Sequence, residues 1–258
     1  MPVRLDIKDH VARVTIDRPE VLNAIDAEAE AQLQAIWERI EQDRDVRVVV
    51  LTGAGDRAFC VGADMKSAGG KSGLEYWAAS RPGGFGGIAL RQTLDVPVLA
   101  RVNGHALGGG LEMVLGCDLV VAAEEATFGL PEPRVGRLPL DGGMVLLQRQ
   151  IPQRLAMGML LTGRRVSAQL AAEYGLINEV VPRAELDRAV ERWVAEILEC
   201  APLSLRAIKQ SARRTAHLAA AEAQAMRLPA IVEALQSGDA AEGPRAFREK
   251  RKPAWTGR

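Results

Sequence analysis

Apolar and polar positions alternate in "MPVRLDIKDH", and "VRLDIKDHVARVTIDRP" predicts two short strands joined at Asp9-His10. The period then changes. Residues 26–42 place Leu33, Ile36, Trp37 and Ile40 on one face, with Asp26 as a plausible cap, and predict a helix. The run "VRVVVLTG" is continuously apolar and predicts a strand covered on both faces. Residues 67–87 break the pattern: they are polar and irregular, contain "RPGGFGG", and predict a mobile surface insertion.

The rhythm then recurs. "VPVLARVNG" predicts a strand, with a glycine run and a helix from about Leu111 behind it. "CDLVVAAEEATFG" predicts a strand pair and "GGMVLLQRQ" a helix. "SAQLAAEYG" and "INEVVP" predict another helix and strand, and from Ala184 the chain reads as helical, with "ELDRAVERWVAEILE" strongly amphipathic. Strand, turn and helix at irregular intervals followed by a helical tail make an α/β core with a C-terminal α segment.

Bulk properties narrow the class. The 258 residues suit one large domain or a domain with an appendage. With 33 basic and 33 acidic residues, nothing points to nucleic acid or membrane. Cys60, Cys117 and Cys200 are widely spaced and form neither a disulfide framework nor a metal motif. No metal or redox cofactor is expected. The N-terminus alternates as a strand, lacks the apolar core of a signal peptide, and no apolar run spans a bilayer, so a cytoplasmic protein is expected.

The candidate chemistry lies at predicted strand ends. "NGHALGGGLEM" carries Gly108, Gly109 and Gly110 just before Glu112. Glycines at the start of a helix let a ligand atom approach free N–H groups, as in a phosphate cradle or an oxyanion hole. The run has neither the G-x-G-x-x-G spacing nor a P-loop lysine, and taken alone it is explained slightly better by close packing of helix on sheet. A second stretch, "AFCVGADMKS", also follows a buried strand with a glycine before an acid. Two such turns could converge two N–H donors on a carbonyl oxygen that takes negative charge as an enolate. Glu132, between prolines in "FGLPEPRVG", follows the next strand. Adjacent strands deliver their ends to one edge, so Glu112 and Glu132 could meet and divide acid and base roles. A lone glutamate is more commonly a solvated surface residue.

Together these stretches resemble the crotonase (enoyl-CoA hydratase/isomerase) superfamily. The resemblance also covers "VTIDRPEVLNAID", "LTGRRVSAQLAAEYGLINEVVP" and "EGPRAFREKR", and so nearly the whole chain. It implies a spiral of ββα turns over residues 1–195 holding an acyl-CoA site. A C-terminal helical segment, 196–258, would serve assembly as a homotrimer or dimer of trimers. Ala63 and Gly109 would supply the oxyanion N–H groups, and Glu112 and Glu132 the catalytic pair. Ala63, Asp64, Met65 and Lys66 would line the CoA path, with Phe247 and Lys250 contacting CoA from the tail. Coenzyme A enters as part of the thioester substrate, with no separate cofactor. The implied reaction is reversible hydration of a 2-enoyl-CoA, or the reverse dehydration.

One departure concerns the acyl end. "RLPLDGGM" stands where many hydratases have an "IPGAGG"-like stretch and puts Asp141 near the acyl path. "RPGGFGG", "LPEPRVG" and the chain's ending are similar to carnitinyl-CoA dehydratases, which act on a trimethylammonium acyl group. Tyr76, Trp77 and Phe85, with Asp141, could bind such a cation. The plainer reading is that the aromatics anchor a loop. Δ3,Δ2-enoyl-CoA isomerisation and a non-catalytic acyl-CoA-binding role also fit the resemblance. RNA binding is disfavoured by the acidic helix at 27–45. His105, Cys60 and Cys117 read as structural, and Asp118 as a holder of backbone.

Overall fold

The computed structural model describes residues 1–65, 72–79 and 81–258. Strands β1 (Val3–Lys8) and β2 (Val11–Ile16) pair antiparallel around Asp9 and His10, both at positive φ. Strands β3 (Val48–Gly53), β5 (Val98–Val102), β7 (Leu119–Ala123) and β10 (Glu179–Val181) extend the sheet in parallel, in the order β1-β2-β3-β5-β7-β10. A second sheet takes β4 (Ala58–Cys60), β6 (His105–Leu107), β8 (Thr127–Gly129) and β9 (Arg165–Ser167), in the order β4-β6-β8-β9. The segment predicted as a strand pair, 117–129, is therefore not a hairpin: β7 belongs to one sheet and β8 to the other. The same holds for β3 with β4 and β5 with β6, so each turn of the chain adds one strand to each sheet. That is the spiral of ββα turns.

Helix α1 (Ala27–Gln42) begins where Asp26 accepts the Ala29 N–H at 2.8 Å and buries Ala29, Leu33, Trp37 and Ile40. This face joins β2, β5 and the second sheet in the main core. The other face of the large sheet is closed by α7 (Leu186–Leu198), through Leu186, Ala189, Val190 and Val194 against Val48, Val50, Leu99 and Val121. Burial on both faces is why β3 is apolar at consecutive positions. Between them lie α2 (Gly73–Ala78), α3 (Gly109–Leu115), α4 (Gly143–Gln150), α5 (Gln153–Thr162) and α6 (Ala168–Glu173).

The tail forms α8 (Pro202–Thr215), α9 (Ala220–Ala225), α10 (Pro229–Gln236) and α11 (Gly238–Arg248). Residue 195 lies inside α7, so the expected division of the chain cuts a helix that belongs to the core. Helix α8 is tied back to the strands: Lys209 pairs with Asp118 at 2.6 Å and donates to the Val96 carbonyl, and Arg213 pairs with Asp95. Asp118 also accepts the Val98 N–H at 2.7 Å, the backbone-holding role expected of it.

The insertion expected at 67–87 is corrected in its second half. Residues 83–89 are buried, although glycine-rich. Trp37 Nε1 donates to the Gly86 carbonyl at 2.7 Å, and Glu30 accepts the Gly86 N–H at 3.1 Å. Its four glycines carry no apolar side chain, so a stretch buried partly through its backbone, beside Phe85, Ile88 and Ala89, reads as surface. Among the described residues no helix is long and apolar enough to cross a membrane.

Candidate active site

Strands β4, β6 and β8 are parallel neighbours, and all three run out at the same edge of the small sheet. The turn after β4 carries Gly62 and Ala63, the turn after β6 carries the glycine run and α3, and the turn after β8 carries Glu132. Ligand sites of open parallel sheets lie beyond the carboxyl ends of strands for this reason.

The turns that carry Ala63 and Gly109 approach each other at this edge through Gly62. A Cβ on Gly62 would stand 3.1 Å from the Gly109 nitrogen. Ala63 forms a parallel bridge with Ile25, in which Ile25 donates to the Gly62 carbonyl and accepts the Asp64 N–H. That pattern leaves the Ala63 N–H outside the bridge. Gly109 is the first residue of α3, where a helix leaves its N–H groups without carbonyl partners.

Each glycine of the run also answers to a protein neighbour. Gly108 has φ +55°, and a Cβ there would lie 2.9 Å from Glu132 Oε1. A Cβ on Gly109 would enter the Phe85 ring at 2.6 Å. On Gly110 it would stand 2.0 Å from the Cys60 carbonyl, so α3 lies directly on the end of β4. Close packing thus explains Gly110, while Gly108 makes room for a carboxylate.

Glu112 is buried on α3, with 3% of its surface exposed. Its Oε1 accepts the N–H of Asp141 at 2.8 Å and of Gly143, at the start of α4, at 2.9 Å. Burial pushes its carboxyl up to about 8; the Gly143 N–H opposes this, and the Asp141 and Glu132 charges add to it. Glu132 opens a short 3-10 turn, Glu132–Val135, behind Pro131. Burial raises its carboxyl too, and its Oε2 is buried with no hydrogen-bond partner among the described residues. A buried polar atom without a partner is uncommon and calls for a reason. Burial favours the protonated form of both carboxyls, and Glu112, at about 8, changes state near neutral pH, as acid–base chemistry requires.

The residues expected at the acyl end fall into two groups. Phe85 is buried against Gly109, and Tyr76 donates its hydroxyl to Asp141 Oδ2, whose own N–H holds Glu112. Trp77 is 66% exposed on α2 and takes no part in this cluster. Two members of the cluster, Arg81 and Glu30, carry no local signal in the sequence. The Arg81 guanidinium lies over the Tyr76 ring at 4.2 Å and pairs with Glu30 at 3.3 Å and Asp141 at 3.5 Å. Glu30 sits in an acidic stretch that reads as a solvated helix face, yet burial raises its carboxyl.

Of the expected CoA path, Asp64 pairs with Arg18 at 3.1 Å and Met65 is 66% exposed. Lys66 lies outside the described residues. Phe247, 86% exposed, lies in the last turn of α11, and Lys250 follows the helix at positive φ. No hydrogen bond or ion pair among the described residues joins either to the strand-end cluster.

A two-sheet spiral with glycine-bearing turns and two raised carboxyls at one strand edge defines a class of α/β proteins. The sequence comparisons specify the class: a model of the enoyl-CoA hydratase/isomerase family matches residues 6–258, and the chain belongs to that crotonase family. It is 40% identical to (E)-benzylidenesuccinyl-CoA hydratase of Thauera aromatica, over the whole of both chains. It is 37% identical to carnitinyl-CoA dehydratase of Proteus mirabilis, over 99% of this chain and 98% of that one. Among solved structures, enoyl-CoA hydratase from Bacillus anthracis superposes with a TM-score of 0.91 at 32% identity, with both chains covered completely.

Proposed function

We propose that the protein catalyses reversible hydration of a 2-enoyl-CoA to a 3-hydroxyacyl-CoA. The observation that carries this reading is the pair of raised carboxyls, Glu112 held by two backbone N–H groups and Glu132 with a buried, unpartnered Oε2. The thioester oxygen sits between the N–H groups of Ala63 and Gly109, which stabilise the enolate as it forms. In its ionised form Glu112 uses Oε2 to orient and deprotonate the water that attacks C3, its Oε1 being engaged by Asp141 and Gly143. Glu132 delivers a proton to C2, and the roles reverse in dehydration. Two acids favour adding or removing water over Δ3,Δ2 isomerisation, which can proceed with one.

Asp64, Met65 and Lys66, with Phe247 and Lys250 of the tail, are assigned to the CoA moiety by the family resemblance. Exposed Ile208 and Leu235 on α8 and α10 support assembly through the helical tail as a trimer or dimer of trimers. Carnitinyl-CoA dehydration is the second reading, favoured by the relative of that name.

The test follows loss of the conjugated enoyl absorbance with crotonyl-CoA. Steady consumption with formation of 3-hydroxybutyryl-CoA is the expected result. Silence with crotonyl-CoA and with longer 2-enoyl thioesters, alongside tight binding of acyl-CoA, would replace hydration by a binding role.

A further inference from the structure

The acyl end contains the parts of a cation cage and already holds a cation. Aromatic faces and carboxylates bind alkylammonium groups. Tyr76 and Asp141 form such a pair, joined by a hydrogen bond, and the Asp141 N–H holds the Glu112 carboxylate. The guanidinium of Arg81 covers the Tyr76 ring at 4.2 Å and faces Asp141 Oδ2 at 3.5 Å. Glu30 fixes it from the other side at 3.3 Å. The backbone is fixed as well: the Arg81 carbonyl accepts the Gly84 N–H at 2.9 Å, and Glu30 also holds Gly86. Phe85, between those glycines, packs on Gly109.

We propose that Arg81 is the specificity-determining residue of the acyl end, filling the Tyr76–Asp141 cage from within and reserving the site for an uncharged acyl group. This rests on the hydration reading, in which Glu112 acts at C3 and the substituent on C4 is the next group along the chain. A trimethylammonium at C4 would have to displace a tethered guanidinium, leaving it half-buried without its carboxylates. A quaternary ammonium has no N–H to offer in exchange, so Coulomb attraction alone cannot restore what the displacement breaks. A carboxylate at C4 is no better served, because Glu30 and Asp141 already oppose the single guanidinium.

Three matched thioesters test it: crotonyl-CoA, crotonobetainyl-CoA and glutaconyl-CoA, which differ only in the C4 substituent. For the wild-type protein kcat/KM should favour crotonyl-CoA at least tenfold over each of the others. Arg81→Ala opens the Tyr76 face and the Asp141 carboxylate, and should narrow the gap to crotonobetainyl-CoA at least tenfold, chiefly through KM. Arg81→Lys retains a tethered cation and should keep most of the discrimination, with thermal melts verifying that both variants fold. A wild-type preference for either charged thioester, or an unchanged ratio in Arg81→Ala, overturns the proposal. Calorimetric binding of butyryl-CoA against 4-trimethylammoniobutyryl-CoA reads the same preference without turnover. Should no enoyl thioester be hydrated, hydration fails by itself, and the calorimetric ratio in wild type and Arg81→Ala still decides the role of Arg81.

Discussion

Glu112 Oε1 accepts the backbone N–H of Gly143 at 2.9 Å, fixing one carboxylate oxygen to the start of α4. The bond does two things at once. It orients the side chain, and it lowers the cost of ionising a carboxyl that burial pushes up. A carboxyl so placed can change protonation state at neutral pH without moving.

Glu112→Gln and Glu132→Gln should each reduce turnover by about 10²–10⁴-fold, the range for loss of a general acid or base. Calorimetric binding of a saturated acyl-CoA should change by less than about tenfold, since neither carboxyl is assigned to the CoA moiety. Wild-type turnover in both variants would refute the pair.

The raised carboxyl of Glu112 also makes a prediction about stability. An unfolded glutamate loses its proton near 4.5, whereas folded Glu112 keeps its proton up to about 8. Between those values the folded state binds more protons, so this contribution is whole below 4.5 and is lost as pH rises toward 8. Glu112→Gln removes the titration. In urea melts the variant should gain on wild type from pH 5 to pH 8.5, by on the order of 2–4 kcal/mol. A stability difference flat across that range would show that burial does not govern this carboxyl.

Two glycine substitutions separate close approach from backbone strain. Gly110→Ala drives a Cβ to within 2.0 Å of the Cys60 carbonyl, which must lift α3 and carry Glu112 with it. It should cost about 1–3 kcal/mol or more and reduce turnover well beyond the lost folded fraction. Gly175→Ala meets nothing within 4 Å at φ +83°, so only conformational strain of about 1 kcal/mol is expected, with turnover intact. Equal losses of activity in the two would remove the link between α3 packing and the site.

Asp118→Asn leaves Lys209, buried between α8 and the strands, facing a neutral partner. Breaking one side of such a pair typically costs about 3–5 kcal/mol, and denaturant unfolding should show a loss of this order. A loss under about 1 kcal/mol would mean that Val96 and water satisfy the ammonium unaided.

The order of strands and helices, the Asp26 cap and the two-sided burial of β3 are legible in the chain. Each follows from hydrophobic period or from a side chain bonding its own neighbourhood. The glycine turns and the two glutamates are equally visible, as residue types at strand ends. Periodicity does not say that consecutive strands join different sheets, since β7 and β8 look alike from within. Nor does it reveal that residues 83–89 are buried, because their partners Trp37 and Glu30 lie about fifty positions away. The Arg81 cluster has the same origin. Local sequence determines which element forms, through contacts within a few residues. Only the tertiary structure decides which distant charges share a pocket, because that depends on sheet order and on the close approach of chain segments far apart in sequence.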